Sequence, residues 1–100
     1  MIERITRNEE RLDNIIQSID KLNEALDEFK SNKKNIQLIN KYYGSNNWFK
    51  DKEMYEKNLM PKVKAGVLSE DTVWNTFEDI NELLEEMKLI INEYKKIGDE

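Results

Sequence analysis

Two seven-residue hydrophobic repeats, one in each half of the chain, constrain its fold more than any other feature. In the first half, two apolar series each recur every seven residues, and together they alternate in steps of three and four. One series is Ile5, Leu12, Ile19 and Leu26, and the other is Ile15, Leu22, Phe29, Ile36 and Tyr43. In the second half, the steps are four and three without interruption: Val73, Phe77, Ile80, Leu84, Met87, Ile91 and Tyr94. This spacing is typical of helices that pair along an apolar seam. The sequence therefore predicts an all-α protein.

The first helix has few stop signals. No glycine or proline precedes Gly44, so we expect one long helix over about residues 2–43. Its weakest point is residues 31–34, where Lys33 replaces an apolar seam residue, and we expect a bend or fraying there. Gly44 suits the left-handed residue that commonly follows a helix.

A short helix and a connector should separate the two long helices. Ser45, Asn46 and Asn47 are candidate N-caps for a helix over about residues 46–58, which should end before Pro61. Residues 59–68 are predicted to be a connector. Ser69 is then a good N-cap for the last helix, which we expect over about residues 69–97.

The simplest architecture is a single domain over residues 1–100. In it, the two long helices form an antiparallel coiled-coil-like hairpin. Two apolar rows outside the seams would stay exposed, and exposed rows of this kind usually bind a partner. They consist of Ile2, Ile16 and Ile39 in the first helix and of Leu83, Ile90 and Ile97 in the last. We therefore expect the chain to pair with itself or with another helical protein.

Composition excludes several classes of function. The chain has neither Cys nor His, which removes thiolate zinc sites and the commonest general base. Its net charge is −5, and the last 32 residues hold three Lys against ten acids, so binding to DNA is not expected. No apolar run approaches the ~20 residues of a membrane span, and the charged N-terminus does not resemble a signal peptide. We expect a cytoplasmic protein without a cofactor.

Most of the aromatic residues lie within residues 42–55. One interpretation is structural, in which Tyr43, Trp48 and Tyr55 fill the closed end of the hairpin. The alternative is a small-ligand or nucleotide site, in which these rings stack on a base and Lys62 or Lys64 meets a phosphate.

The acidic residues give little support for an enzyme. Asp51 and Glu53 could hold a divalent metal, but residues two apart point to different faces of a helix. Glu70 and Asp71 are explained by the helix dipole at a helix start. We predict no catalytic residue and no metal site.

The centre of the chain resembles a small bacterial family of unknown function, with the signature Y-Y-G-S, then W, D and E, then P, then G-V-L-S-E-D. The matching residues are Tyr42, Tyr43, Gly44, Ser45, Trp48, Asp51, Glu53, Pro61, Gly66, Val67, Leu68, Ser69, Glu70 and Asp71. The resemblance covers essentially the whole chain, and it implies helices at both ends but no activity.

The sequence favours a non-enzymatic protein–protein interaction module, acting as an adaptor, regulator or inhibitor and self-associating. An acidic inhibitor of a host enzyme, as phages produce, is a variant of this hypothesis, with the last helix imitating nucleic acid. The ligand-binding site at residues 42–55 is the second hypothesis, and a metal-dependent enzyme is the third.

Overall fold

Four α-helices and one 3-10 turn form the secondary structure of the computed structural model, which describes residues 1–99. The helices are α1 (Ile2–Ser31), α2 (Lys33–Tyr42), α3 (Asn46–Glu56) and α4 (Glu70–Ile97), and the 3-10 turn is Gly66–Leu68. Residues 1–99 contain no strand. The predicted all-α class, with a long N-terminal and a long C-terminal helix, is therefore confirmed.

Contacts divide the chain, expected to be one domain, into two compact units. The first is Met1–Asn40, and the second begins at Lys41. The aromatic residues of the central segment, the 3-10 turn and α4 all belong to the second unit.

The N-terminal helix is interrupted at Asn32, within the predicted weak segment. The hydroxyl of Ser31 and the side-chain amide of Asn32 both donate to the carbonyl of Glu28, at 2.7 and 3.1 Å. The backbone N–H of Asn32 donates to Phe29, three residues back, at 3.1 Å. Side chains that bond to a preceding carbonyl compete with the helical ladder, which explains the interruption. The long N-terminal helix is thus bent within the predicted weak segment, and its second part ends at Tyr42, one residue before the expected end.

Gly44 and Ser45 link α2 to α3 in a tight turn. Gly44 has φ of +76°, a conformation in which a side chain is strained. Ser45 is the N-cap of α3, and its hydroxyl accepts from the N–H of Trp48 at 3.2 Å. This turn is the one that the sequence predicted.

Helix α3 ends at Glu56, two residues earlier than expected, because Asn58 closes it. Asn58 has φ of +56°, its N–H donates to Tyr55, and the N–H of Leu59 donates to Met54. These two bonds form a Schellman motif with Asn58 as the left-handed residue. The connector therefore begins before residue 59, and local cap geometry rather than Pro61 sets the end of the helix.

Helix α4 begins and ends as the sequence predicted. Ser69 is its N-cap and accepts from the N–H of Thr72 at 3.2 Å, and the last helical residue is Ile97. The 3-10 turn before it, Gly66–Leu68, lies within the segment that was predicted to be an irregular connector.

The buried hydrophobic core of residues 1–99 is small. It consists of Trp48 on α3, Leu68 in the 3-10 turn and Val73 on α4. The 3-10 turn contacts both helices. Half of the residues of the two predicted seams are exposed, namely Ile5, Leu12, Ile15, Ile19, Leu22, Leu84, Ile91 and Tyr94. Neither compact unit buries these residues by itself, and the antiparallel pairing of the two long helices stays a prediction.

Candidate interaction surface

Trp48 is the anchor of the second unit. It is 1% exposed, and its indole Nε1–H donates to the backbone carbonyl of Val67 at 2.9 Å. This bond joins α3 to the 3-10 turn across 19 positions of sequence. A buried indole needs such a partner, because an unpaired N–H in an apolar interior is destabilising.

Other side chains surround the Trp48 ring. Tyr43 and Phe49 each pack edge-to-face, with ring centroids 5.2 and 5.0 Å away. The Nζ of Lys52 lies 5.1 Å from the centroid of the Trp48 ring and 3.4 Å from the Glu70 carboxylate. These neighbours and the near-complete burial leave no face of Trp48 on which a base could stack.

Tyr42 and Asp51 add a polar link between α2 and α3. The hydroxyl of Tyr42 donates to Oδ2 of Asp51 at 2.6 Å. This hydrogen bond, with smaller contributions from burial and from the negative charge of Asp51, raises the pKa of Tyr42 from 10.0 to about 12. Together with the Ser45 cap, the link fixes the start of α3 relative to the end of α2.

The remaining residues of the ligand-binding hypothesis do not share the burial of Trp48. Tyr55 is exposed on α3, and Lys62 and Lys64 are exposed in the connector that precedes the 3-10 turn. Tyr43 is half-buried, with its ring edge against Trp48. The structure therefore places two of the five residues together, and both contribute to internal packing.

The acidic residues of the central segment take part in separate interactions. Asp51 accepts from Tyr42, whereas Glu53 pairs with Lys57 one turn along α3, at 2.6 Å. Glu70 contacts Lys52. Within residues 1–99, no group of three or more acidic residues could hold a metal ion.

Helix α1 presents a long exposed apolar surface. It has 30 residues, and none of them is buried. The six large apolar residues between positions 5 and 22 are between 48% and 58% exposed. They are Ile5, Leu12, Ile15, Ile16, Ile19 and Leu22. We call this set the α1 stripe.

The two apolar rows predicted to bind a partner are exposed. In the N-terminal half they are Ile2 and Ile16 on α1 and Ile39 on α2. In α4 they are Leu83, Ile90 and Ile97, at intervals of seven residues. Each row is thus available for contact with another surface.

Sequence reasoning missed a group of exposed apolar residues in the second unit. Phe49, Leu59, Val63 and Trp74 are each more than half exposed. Trp74 could have been anticipated, because it directly follows the seam residue Val73 and lies outside the four-three spacing. The other three lie in segments without a clear hydrophobic period, so the sequence contained no signal for their exposure.

None of the helices within residues 1–99 is both long enough and apolar enough to cross a lipid bilayer. No curated protein and no solved structure matches the chain. A family model does match it over residues 5–96, which include every element described above apart from the first three residues of α1 and the last of α4. The chain therefore belongs to the family described as "Domain of unknown function (DUF4298)".

Proposed function

We propose that this protein is a non-enzymatic interaction module that associates with further copies of itself through the apolar surfaces of its long helices. The observation that carries the proposal is that α1, a 30-residue amphipathic helix, contains no buried residue. Most of the stability of a helix in a protein comes from packing of its apolar face. Pairing of α1 with another helix supplies that packing.

The energies favour association. Burying a large aliphatic side chain contributes about 1.5–3 kcal/mol relative to full exposure, so a half-exposed one gains roughly half of that. By this measure the six residues of the α1 stripe together contribute a free energy of about the same size as the unfolding free energy of a small domain. A chain with three buried hydrophobic residues gains about as much from such pairing as from its own core.

The polar residues around the stripe support a protein partner. The first 43 residues contain eight basic and eight acidic residues, so the surface beside the stripe has no basic excess for an anionic membrane or a nucleic acid. Mixed charges beside an apolar seam are typical of helices that pair with helices.

The chain's side chains give no support to catalysis. It lacks His and Cys, and the carboxylates of Asp51, Glu53 and Glu70 are bound to Tyr42, Lys57 and Lys52, respectively. The rings of Tyr43 and Phe49 pack against Trp48 instead of lining an open cleft.

Light-scattering mass across a range of protein concentrations tests the proposal. We expect the wild-type mass to be a multiple of 12.0 kDa. We expect the double variant Leu12→Lys/Ile15→Lys to move toward the monomer, because two charges replace apolar residues of the stripe.

Gln17→Lys is the matched control on the polar face of α1, and it should leave the mass unchanged. For α4, the variant Leu83→Glu/Ile90→Glu is compared with Leu89→Glu, which alters an exposed leucine outside the row. A wild-type protein that is monomeric at every concentration would contradict the proposal.

A further inference from the structure

We infer that the α1 helices of two copies pair in parallel and in register, with the α1 stripe of one copy against that of the other. This inference rests on the proposed self-association and adds the orientation of the partner. In heptad notation, positions a and d form the seam, and positions e and g flank it. The steps of three and four place Ile5, Leu12 and Ile19 at a, and Asn8, Ile15 and Leu22 at d.

Asn8 distinguishes the two possible orientations. It is the one polar residue of the seam between positions 5 and 22. In a parallel, in-register pair it faces the partner's Asn8, and two side-chain amides can bond to each other. In an antiparallel pair that overlaps the same residues, Asn8 faces the partner's Ile19. The Oδ1 of Asn8 already accepts from Arg11 at 2.9 Å, so the group at stake is the N–H of its side-chain amide. Burying that N–H against an apolar residue is destabilising, so the seam favours the parallel pair.

Charge complementarity at the flanking positions favours the same orientation. In parallel pairs, a g residue lies beside the e residue of the partner's next heptad. Arg4 is at g and Glu9 is at e, so each copy places Arg4 beside the partner's Glu9. The antiparallel pair sets Arg11 beside the partner's Ser18 and Glu9 beside the partner's Ile16. It therefore contains none of these attractive contacts.

Because α1 is interrupted at Asn32, the parallel pair of α1 helices ends before Lys33. Lys33 is the next a position, and in a parallel pair it would face the partner's Lys33. Helix α1 ends at Ser31, because the side chains of Ser31 and Asn32 bond to the Glu28 carbonyl. The seam thus ends before two like charges oppose each other.

Helix α4 matches the α1 stripe less well than a second α1 does. The seam of α4 places Leu83, Ile90 and Ile97 at its g positions. In an antiparallel pair, g positions face g positions, and those of α1 begin with Arg4 and Arg11. An apolar row would thus face a charged one, whereas two α1 helices in parallel align opposite charges.

Cysteine cross-linking tests the orientation, because the chain has no cysteine of its own. We expect Ile5→Cys to form a disulfide-linked dimer under mild oxidation, since the two residues face each other in a parallel pair. An antiparallel pair holds residue 5 of one copy against the partner's residue 22. That arrangement separates the two introduced thiols by about 25 Å, well beyond the reach of a disulfide.

A mixture of Ile5→Cys and Leu22→Cys proteins tests the antiparallel orientation, in which residue 5 faces the partner's residue 22. Cross-linked heterodimers from this mixture, with no homodimers of Ile5→Cys, would overturn the parallel orientation while leaving self-association intact. A wild-type protein that is monomeric in light scattering would instead overturn the proposed function, so the two failures are distinguishable.

Charge reversal provides a second readout that does not depend on oxidation. We expect Arg4→Glu or Glu9→Arg alone to weaken the dimer by several-fold in sedimentation equilibrium, and the double variant to recover most of the loss. Glu10→Arg changes the same charge at position f, away from the seam, and should have little effect. Equal weakening by all three single variants, without recovery in the double variant, would contradict the parallel pair.

Discussion

At the scale of single residues, Trp48 contributes most to the second unit. It combines the deepest burial of the described chain with a hydrogen bond to a backbone carbonyl in a different element. Local patterns predicted a structural role for this ring among the aromatic residues. They did not indicate Val67 as its partner, because a contact over 19 positions depends on how the connector folds back.

We expect Trp48→Phe to lower the free energy of unfolding by about 1–3 kcal/mol, because the Val67 carbonyl loses its donor. Trp48→Ala should lower it by about 3–5 kcal/mol, because a cavity is added to the lost contacts. Urea denaturation followed by far-UV circular dichroism measures both. Trp74→Phe is the matched control, since Trp74 is 58% exposed, and it should change the free energy by less than about 0.5 kcal/mol. Equal effects at the two tryptophans would contradict the assigned role of Trp48.

Tyr42 makes stability depend on pH in the alkaline range. Folding raises its pKa from 10.0 to about 12, so the folded state holds the phenolic proton more tightly than the unfolded state does. This contribution is fully present below pH 10 and is lost as the pH rises through 12. We expect denaturation midpoints of the wild type to fall over this window more steeply than those of Tyr42→Phe. Parallel curves for the two proteins would contradict the assignment.

At the scale of elements, the helix ends follow short-range chemistry, and the sequence predicted most of them. Ser69 and Ser45 lie before polar or acidic first turns, and Gly44 supplies the left-handed conformation that few other residues tolerate. The end of α3 was misplaced because Pro61 is a conspicuous stop signal, whereas Asn58 is an inconspicuous one. Helix α3 ends at the nearer signal, Asn58, where two backbone hydrogen bonds close its last turn.

Removal of either serine cap should destabilise the second unit. We expect Ser45→Ala and Ser69→Ala each to lower the free energy of unfolding by about 1 kcal/mol, because a helix N–H loses its acceptor. Ser18→Ala, in the middle of α1, is the control and should be neutral or slightly stabilising, since alanine is the better helix former. Urea denaturation of the three variants checks this, and a larger effect at Ser18 than at the caps would argue against it.

Asn58 tests the Schellman motif. We expect Asn58→Gly to keep or slightly raise stability, and Asn58→Val to lower it by about 1–2 kcal/mol or more, because a branched side chain disfavours the left-handed region. Asn75→Val, at an ordinary position within α4, controls for the general effect of valine. Thermal unfolding of all three variants distinguishes the site. A valine tolerated equally at both positions would contradict a left-handed Asn58.

At the scale of the whole molecule, the hydrophobic pattern predicted the helices correctly but did not indicate which surfaces cover their apolar faces. A seven-residue period indicates that one face of a helix is buried, but it does not indicate which surface covers that face. The exposed α1 stripe and the exposed row on α4 show that residues 1–99 of one chain do not complete that burial. The contacts that the charged residues beside the stripe make with a second copy differ between the parallel and the antiparallel orientation. These residues therefore indicate the orientation of the partner, which the hydrophobic period does not.

The proposed self-association predicts that thermal stability depends on protein concentration. Binding that occurs only in the folded state shifts the unfolding equilibrium by mass action. We expect the Tm of the wild type to rise with protein concentration, and that of Leu12→Lys/Ile15→Lys to be lower and independent of it. Differential scanning calorimetry over a hundredfold range of concentration measures this. A constant wild-type Tm would indicate that the folded chain is stable alone.

The contrast between the two tryptophans gives this protein a built-in pair of optical reporters. One indole is sealed and hydrogen-bonded, so its emission should lie toward the blue and resist quenching by iodide. The other lies on the outer surface of α4, so it should emit toward the red and be quenched readily. Single-tryptophan variants therefore separate melting of the central cluster from changes in solvent access along α4 without any attached dye.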